Sequence, residues 1–486
     1  MSGEERAVRS ICVAGAGIVG LSAALAFARA LPGVSVTILQ TTSDPAALAD
    51  RMPGTLPTVH RFHAAIGVDE LELVRSGIAV HRLGTRFDHW SADGRSWYHV
   101  FGEHGLPAGE VPFVAVWQNL RERGQALPFD RYAAAAALAA AGKFVHPASD
   151  PDSPLGTFLY GLRLDPARYR ERLAAAASNL PRVEGEIKGV EHREDGGIQS
   201  LLLGAGRRIA ADLFLDCSGP AALLHAHLAA DFEDWSGWLP CDRIATEERA
   251  PEEPNPCDTV TASGTGWTQA AALPGRTLVI RASSAEFGPG EGVAIRTGRR
   301  PRPWIANVLA IGDAAVAVDP LQCTNLHLAQ AGILLALELM PGRDCHPLEL
   351  REYNRRFDLE VVRVRDFQTL HYVRSGRRDT PFWAALGGRE PPPTLARTLE
   401  QFERRGRLPF FEEETFDRDS WLAVLLGLGV MPRHADPAAS GLDPDRTAAA
   451  TARFAERVAA LPARFPSYRE VLAKLKQAPP RRPPQR

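Results

Sequence analysis

The chain has 486 residues, 45% of them hydrophobic and 23% charged. That composition excludes a largely disordered polypeptide, and the length buries a large core without disulfide staples. Lys and Arg total 56 against 58 Asp and Glu, a formal charge of −2, so no global field favours nucleic acid or an anionic membrane surface. Nearly all the cations are arginine; the lysines are Lys143, Lys188, Lys474 and Lys476. No run reaches the apolar length of a membrane-spanning helix, and the polar start Met1 to Ser10 does not read as a signal peptide. Cys12, Cys217, Cys241, Cys257, Cys323 and Cys345 are scattered with no C-x-x-C pair, which argues against a zinc site and a disulfide scaffold. A reduced, cytoplasmic protein with no metal is the expectation.

In chain order, Ile11 to Ala14 predicts a strand, Leu21 to Leu31 a helix and Val34 to Leu39 a second strand, a βαβ opening. A loop follows from Asp44 to about Gly54. Thr58 to Ile66 and Glu70 to Ser76 read as helices. His81 to Val116 mixes aromatics, glycines and short β-like runs, the pattern of a sheet covering a ligand. Ala133 to Ala141 and Pro166 to Asn179 read as helices. Val183 to Val190 and Ile198 to Leu203 predict a meander turning at Asp195-Gly196-Gly197. Asp212 to Asp216 and Val308 to Ile311 predict apolar strands. Beyond Gly332 the chain turns mainly helical, and the proline- and arginine-rich end, 478–486, reads as a disordered tail. The division expected is a core over 1–340 with an interleaved substrate-covering sheet, then a helical substrate-side domain over 341–477.

Gly15-x-Gly17-x-x-Gly20 follows the first strand and opens the first helix. Its glycines allow the tight turn, the approach of backbone N–H groups to a diphosphate, and close helix–strand packing. The second strand ends at Gln40, where an acid normally meets the ribose; an amide still accepts a hydrogen bond there. Gly312-Asp313 after the strand at Val308 is a second anchor, followed by small residues that open a helix. In flavoproteins of the glutathione-reductase type this acid serves the ribityl or phosphate region of FAD. Asp216-Cys217-Ser218-Gly219 fits a third landmark beside the cofactor. Only one dinucleotide fingerprint is present, so electrons come from transient NAD(P)H or from a separate flavin reductase.

Several stretches together resemble the flavin-dependent tryptophan halogenases. They are Gly15 through Gly20, Asp212 through Gly219, Trp304 through Gly312, Asp319-Pro320-Leu321-Gln322-Cys323-Thr324-Asn325, and Tyr353-Asn354. Further along come Asp366-Phe367 with His371-Tyr372, Asp379 through Trp383, and Ser420-Trp421 with Gly427-x-Gly429-x-x-Pro432. The resemblance implies an α/β fold, an FAD-binding Rossmann-like domain of the glutathione-reductase type with a β-sheet substrate region and a helical C-terminal domain. It also implies FAD chemistry through a C4a-hydroperoxyflavin that oxidises halide. A tunnel lysine then relays hypohalous acid, and a glutamate beside the substrate assists.

The sequence departs from that pattern at each reactive position. Arg82 stands where the lysine belongs, and a guanidinium does not exchange its proton as an amine does. Gln322 replaces the glutamate, and an amide is no general base. Asn325 replaces the glycine of the halide loop, its side chain directed at the space a halide would use. The family's W-x-W-x-I-P signature survives only as Gly266-Trp267 and Leu273-Pro274. Expected cofactor contacts are Gly15, Gly17, Gly20, Gln40, Gly312, Asp313, Thr324 and Asn325. Arg82, Gln322 and His327 are the catalytic candidates, His327 as a base or substrate contact.

These departures lead to a first reading as an FAD-dependent monooxygenase that hydroxylates an aromatic, indole-type substrate. The resemblance extends that reading to a tryptophan of a partner polypeptide during tryptophylquinone maturation. The alternatives are a flavin-dependent halogenase of an indole or phenol, with Arg82 holding hypohalous acid, and a catalytically silent flavin-binding protein. His60, His63, His81, Arg86, His89, Trp97, Tyr98, Phe101, Phe113 and Trp117 are secondary candidates for substrate contact. Asp366, His371 and Tyr372 read as packing between helices.

Overall fold

The computed structural model describes residues 7–150, 153–228 and 230–477; the tail expected at 478–486 lies outside them. Two compact units form, each from three stretches of chain: 7–70, 164–244 and 291–362 in the first, and 71–163, 245–290 and 363–477 in the second.

The first unit is built on a six-stranded sheet. Its order is Trp304–Ile305, Val308–Ala310, Leu213–Asp216, β1 (Ser10–Ala14), β2 (Ser35–Gln40) and Arg182–Glu184. Every pairing is parallel except that of the short edge strand Trp304–Ile305. Parallel strands are covered on both faces and so carry continuous apolar runs, as in Ile11-Cys12-Val13-Ala14 and Leu213-Phe214-Leu215. Helix α1 (Ile18–Ala30) makes the crossover from β1 to β2. Register pairs Ala14 with both Leu39 and Asp216, and Asp216 with Ala310. The turns after β1, Leu213–Asp216 and Val308–Ala310 therefore emerge side by side, at the edge where doubly wound sheets bind ligands.

Two expectations need correction here. The run Val183 to Val190 is not one strand. Arg182–Glu184 joins the parallel sheet, and Ile187–His192 joins an antiparallel meander with Ile198–Leu203 and Arg208–Ala210. Gly185 makes the last contact with the parallel sheet, its N–H meeting the Gln40 carbonyl at 3.4 Å. Nor does a helix start after Asp313. A single 3₁₀ turn, Gly312–Ala314, leads into a short strand, Val316–Ala317, paired with Gly298–Arg299, and the helix begins at Asn325. Helix formation is interrupted because the chain meets a partner strand before Pro320.

In the second unit, Arg276–Ser283, Gly266–Leu273, Cys257–Ala262, Gly84–Asp88 and Trp97–Val100 lie in that order in one sheet. The alanine helix Ala134–Ala140 packs with Leu83, Val100, Phe144, Phe158 and Leu461, its small side chains allowing close approach. A helix not anticipated from the sequence, Phe113–Glu122, buries Phe113, Val116, Trp117 and Leu120. Trp90, Trp267, Tyr372 and Trp383 are fully buried. Trp90 Nε1 donates to the His371 carbonyl at 2.7 Å and Trp267 Nε1 to Tyr372 Oη at 3.0 Å, and the His371 ring meets the Phe367 carbonyl of its own helix at 2.8 Å. Among the described residues no helix is long and apolar enough to cross a membrane.

Asn307 ties the meander to the parallel sheet. Its Oδ1 accepts from Ile198 N–H at 2.8 Å, and its Nδ2 donates to the carbonyls of Ile198 and Asp212 at 2.8 and 3.1 Å. Replacing Asn307 with alanine strands three buried polar groups, each worth about 1–3 kcal/mol unpaired. We expect a loss of roughly 2–4 kcal/mol, read as a lower urea midpoint.

Candidate functional site

The glycine turn is held by backbone contact. Gly15 has φ 124° and its N–H donates to the Leu39 carbonyl at 2.9 Å. A Cβ on Gly15 would lie 2.3 Å from the Cys217 carbonyl oxygen, and one on Gly20 would lie 2.1 Å from the Gly15 carbonyl oxygen. Neither neighbour can yield, so both positions require glycine. Gly17 caps α1 without a side chain, which leaves room for an anion against the helix N-terminus, where the Asp50 carboxylate now sits. Gly312 has φ 66°, and a Cβ there would press within 3.1 Å of both Val19 methyls. The two glycine landmarks are thus in mutual contact across the strand ends.

A cavity of about 420 Å³ opens beside this turn, lined by Gly15, Gly17, Gln40, Asp44, Asp50 and Arg170, with Cys217 and Ser218 on its wall. Gln40 lies at its rim, exposed. Asp216 is buried beneath. Burial alone would raise it, but hydrogen bonds from His225 and Ser218 hold its carboxyl below the usual carboxylate range. Asp313 is the opposite case. Burial pushes its carboxyl up to about 8, opposed by the Ala49 N–H and reinforced by Asp50 and Asp44. Its Oδ2 accepts from Ala49 N–H at 2.8 Å, while Oδ1 is buried with no partner. A buried acceptor left over in this way marks a place for a ligand hydroxyl.

The loop Leu321–Cys323 is backbone-strained. Gln322 and Cys323 have φ 64° and 59° and are buried, conformations that non-glycine residues adopt at a cost of order 1–3 kcal/mol each. Asp319 Oδ1 pins the loop by accepting from Leu321 N–H at 2.9 Å. Thr324 is fully buried. Asn325 turns its amide nitrogen to the Val318 carbonyl at 2.8 Å, leaving its Oδ1 buried without a partner. One turn into the helix Asn325–Glu338, His327 Nδ1 meets Thr58 Oγ1 at 2.9 Å and Nε2 meets Glu360 Oε1 at 3.1 Å. A carboxylate only accepts, so Nε2 carries a proton, while Nδ1 shares a hydrogen bond with the Thr58 hydroxyl. Thr58 caps α2 (Val59–Ile66) without using its hydroxyl on that helix.

Arg82 belongs to the second unit and is buried. Its Nε donates to Asp258 Oδ2 at 2.5 Å and an Nη to Thr85 Oγ1 at 2.7 Å, and its guanidinium lies 5.1 Å from the Phe101 ring centre. Arg163 approaches the other Asp258 oxygen at 3.4 Å. The parallel register that sets Asp258 against Thr85 assembles this cluster. Of the secondary candidates, His63 is buried against Tyr169 Oη at 2.9 Å, and burial lowers its ring to about 4. His81 bonds Tyr468 Oη and stacks on Phe144. Trp97 stacks on Phe87. Sequence reasoning missed Asp50, Thr58, Arg170 and Glu360. Of these, only Arg170 left a trace, in the arginine-dense helix Pro166–Ala176.

A parallel sheet with a glycine-rich crossover and a buried acid on a neighbouring strand end defines a dinucleotide-binding flavoprotein. The family model for tryptophan halogenase matches residues 10–444, and the chain belongs to that family. It is 27% identical to tryptophan 7-halogenase KtzQ of Kutzneria sp. (strain 744), over 89% of this chain and 92% of that one. Among solved structures it is similar to BrvH, a flavin-dependent halogenase from Brevundimonas sp. BAL3. That likeness has a TM-score of 0.90 and 32% identity, over 96% of this chain and 99% of the other. Xcc4156, a flavin-dependent halogenase from Xanthomonas campestris, superposes at 0.90 with 30% identity, over 98% and 99%.

FAD is the cofactor of this enzyme class, and this chain's atoms fit it. The Gly15–Gly20 turn would seat the diphosphate, Gln40 and Arg170 line the same cavity, and the unmatched Asp313 Oδ1 would accept a ribityl hydroxyl. Asp313→Asn tests this in two ways. In the flavin-free chain the unfolded state ionises Asp313 near pH 4, while the folded state keeps it protonated to about 8. The unfolded state then binds fewer protons, so this residue costs stability as pH rises from about 4 to about 8. The Asn variant should therefore melt above wild type at pH 8, with the gap closing towards pH 4. At pH 9, where Asp313 is ionised, the variant's affinity for FAD, followed by flavin fluorescence, should fall roughly tenfold through loss of a charged acceptor.

Proposed function

We propose that the chain is an FAD-dependent halogenase of an electron-rich aromatic ring, with indole as the first candidate substrate. Reduced flavin comes from a separate reductase or from transient NAD(P)H. The observation that carries this reading is family membership across residues 10–444, together with likeness to proteins named as halogenases over nearly the whole chain. It replaces hydroxylation as the leading reading. Maturation of a partner polypeptide's tryptophan to a quinone draws no support from those relatives.

FAD, when bound, supplies the activated oxygen. The protein residues position and protonate. Thr324 and Asn325, on the strained turn opening a helix, offer backbone N–H groups to an anion. His327, backed by Glu360, draws a proton through Thr58 Oγ1, replacing the carboxylate that Gln322 lacks. Arg82, a fixed positive charge buried on Asp258 in the second unit, is the remaining candidate, since it stands where the family pattern has its lysine. Hydroxylation stays as the second reading because of two residues. The unpartnered Oδ1 of Asn325 repels a halide and accepts from an O–H group, and Gln322 supplies no base.

The test is product analysis by mass spectrometry after incubation with FAD, a flavin reductase, NADH, oxygen, bromide and indole. Bromoindole that disappears without bromide is expected. A product carrying one added oxygen, formed equally without halide, would overturn the reading. Flavin turnover that releases only peroxide would favour the silent flavoprotein. His327→Asn should lower kcat by about a hundredfold, the low end for removal of a proton-transfer group, with FAD affinity unchanged.

Arg82→Ala should cost about 3–5 kcal/mol, because it breaks a buried ion pair, and should lower the urea midpoint. Arg82→Lys retains the charge, and its product yield is the informative measurement. A yield at or above wild type is expected.

A further inference from the structure

The 3₁₀ turn Leu48–Asp50 is fastened to both cofactor landmarks at once. Ala49 N–H donates to Asp313 Oδ2 at 2.8 Å, and Asp50 Oδ1 accepts from Val19 N–H at 2.8 Å in the first turn of α1. The Ile18 N–H also faces this carboxylate. Asp50 Oδ2 lies 1.8 Å from where a Cβ on Gly17 would stand, so the carboxylate fills the space this glycine keeps clear. No acid stands within the first turn of α1 itself; the negative charge at its N-terminus comes from Asp50, 31 residues away from Val19 in sequence.

A helix N-terminus attracts one anion because its N–H groups and dipole converge there. The diphosphate of a dinucleotide uses the same N–H groups. Two anions cannot share them, and Asp44 close by adds to the negative field.

We propose that Asp50 is an internal competitor for the cofactor's diphosphate. FAD enters by lifting the Leu48–Asp50 turn from α1. The same movement frees Asp313 Oδ2 from Ala49, so one displacement exposes the diphosphate seat and both oxygens of the ribityl acceptor. Binding is then an exchange of one anion for another, and the cofactor is held loosely enough to leave for reduction elsewhere. Asp50 sets that looseness. The inference rests on FAD occupying the glycine cradle and is independent of which substrate is halogenated.

The experiment is equilibrium titration of the flavin-free full-length chain with FAD, read by quenching of flavin fluorescence, with dissociation followed by stopped flow. Asp50→Asn keeps the size and an acceptor oxygen but removes the charge. It should bind FAD at least tenfold tighter than wild type and release it more slowly. Asp50→Glu keeps the charge and should stay within about threefold of wild type. Inorganic diphosphate, titrated against FAD, should compete more strongly in the Asn variant. Asp50→Ser replaces the Asn variant if that one does not fold. FAD affinity equal to or weaker than wild type in the uncharged variants would overturn the proposal, as would tight binding by Asp50→Glu. None of these readouts needs halide or an aromatic substrate, so a failure of halogenation leaves the result interpretable.

Discussion

The first unit depends on one close approach, that of the Gly15 turn to the backbone at Cys217. The Cβ that glycine omits would sit inside the Cys217 carbonyl, and the neighbouring omission at Gly20 lets α1 lie against the turn. These contacts bring β1 and Leu213–Asp216 to a common edge, and Gly312 repeats the device against Val19. With side chains at these positions the strand ends would part. Cofactor recognition is here a property of backbone spacing more than of side-chain chemistry.

Around that edge the protein concentrates carboxyl groups. Asp44, Asp50 and Asp313 lie near the seat of an anionic cofactor, and burial pushes the carboxyls of Asp50 and Asp313 above their usual range. Arg51 and Arg170 act on Asp50 in the opposite direction. Acids so placed reject a diphosphate unless they move, lose their charge or turn to its hydroxyls. Asp313 suits the hydroxyls, since its free oxygen is an acceptor. Asp50 faces helix N–H groups and has no such second use.

The chemistry-bearing residues divide by unit. In the first, the strained loop that carries Gln322 and, just beyond it, His327 between Thr58 and Glu360 form one group. In the second, Arg82 and Arg163 share Asp258 in a buried cluster with excess positive charge. That charge is fixed by geometry: two arginines on one carboxylate cannot shed protons, and the sheet register holds them.

What the sequence determined by itself was whatever depends on neighbours in the chain. The βαβ opening, the glycine triad, the Gly312-Asp313 anchor, the strand at Leu213 and the turn at Asp195-Gly197 were legible because each is encoded within a few residues. So was family membership, through motifs spread along the chain. The helix expected after Asp313 failed because a partner strand at Gly298–Arg299 competes for that segment. The break at Gly185 failed because it is decided by which of two sheets the chain joins. Contacts between distant segments were decided only by tertiary structure: Asp50 on Val19, Thr58 on His327 across 269 residues, and Arg82 on Asp258 across 176. Hydrogen bonds and ion pairs act over a few ångströms, and proximity at that scale between remote residues exists only once the sheets have assembled.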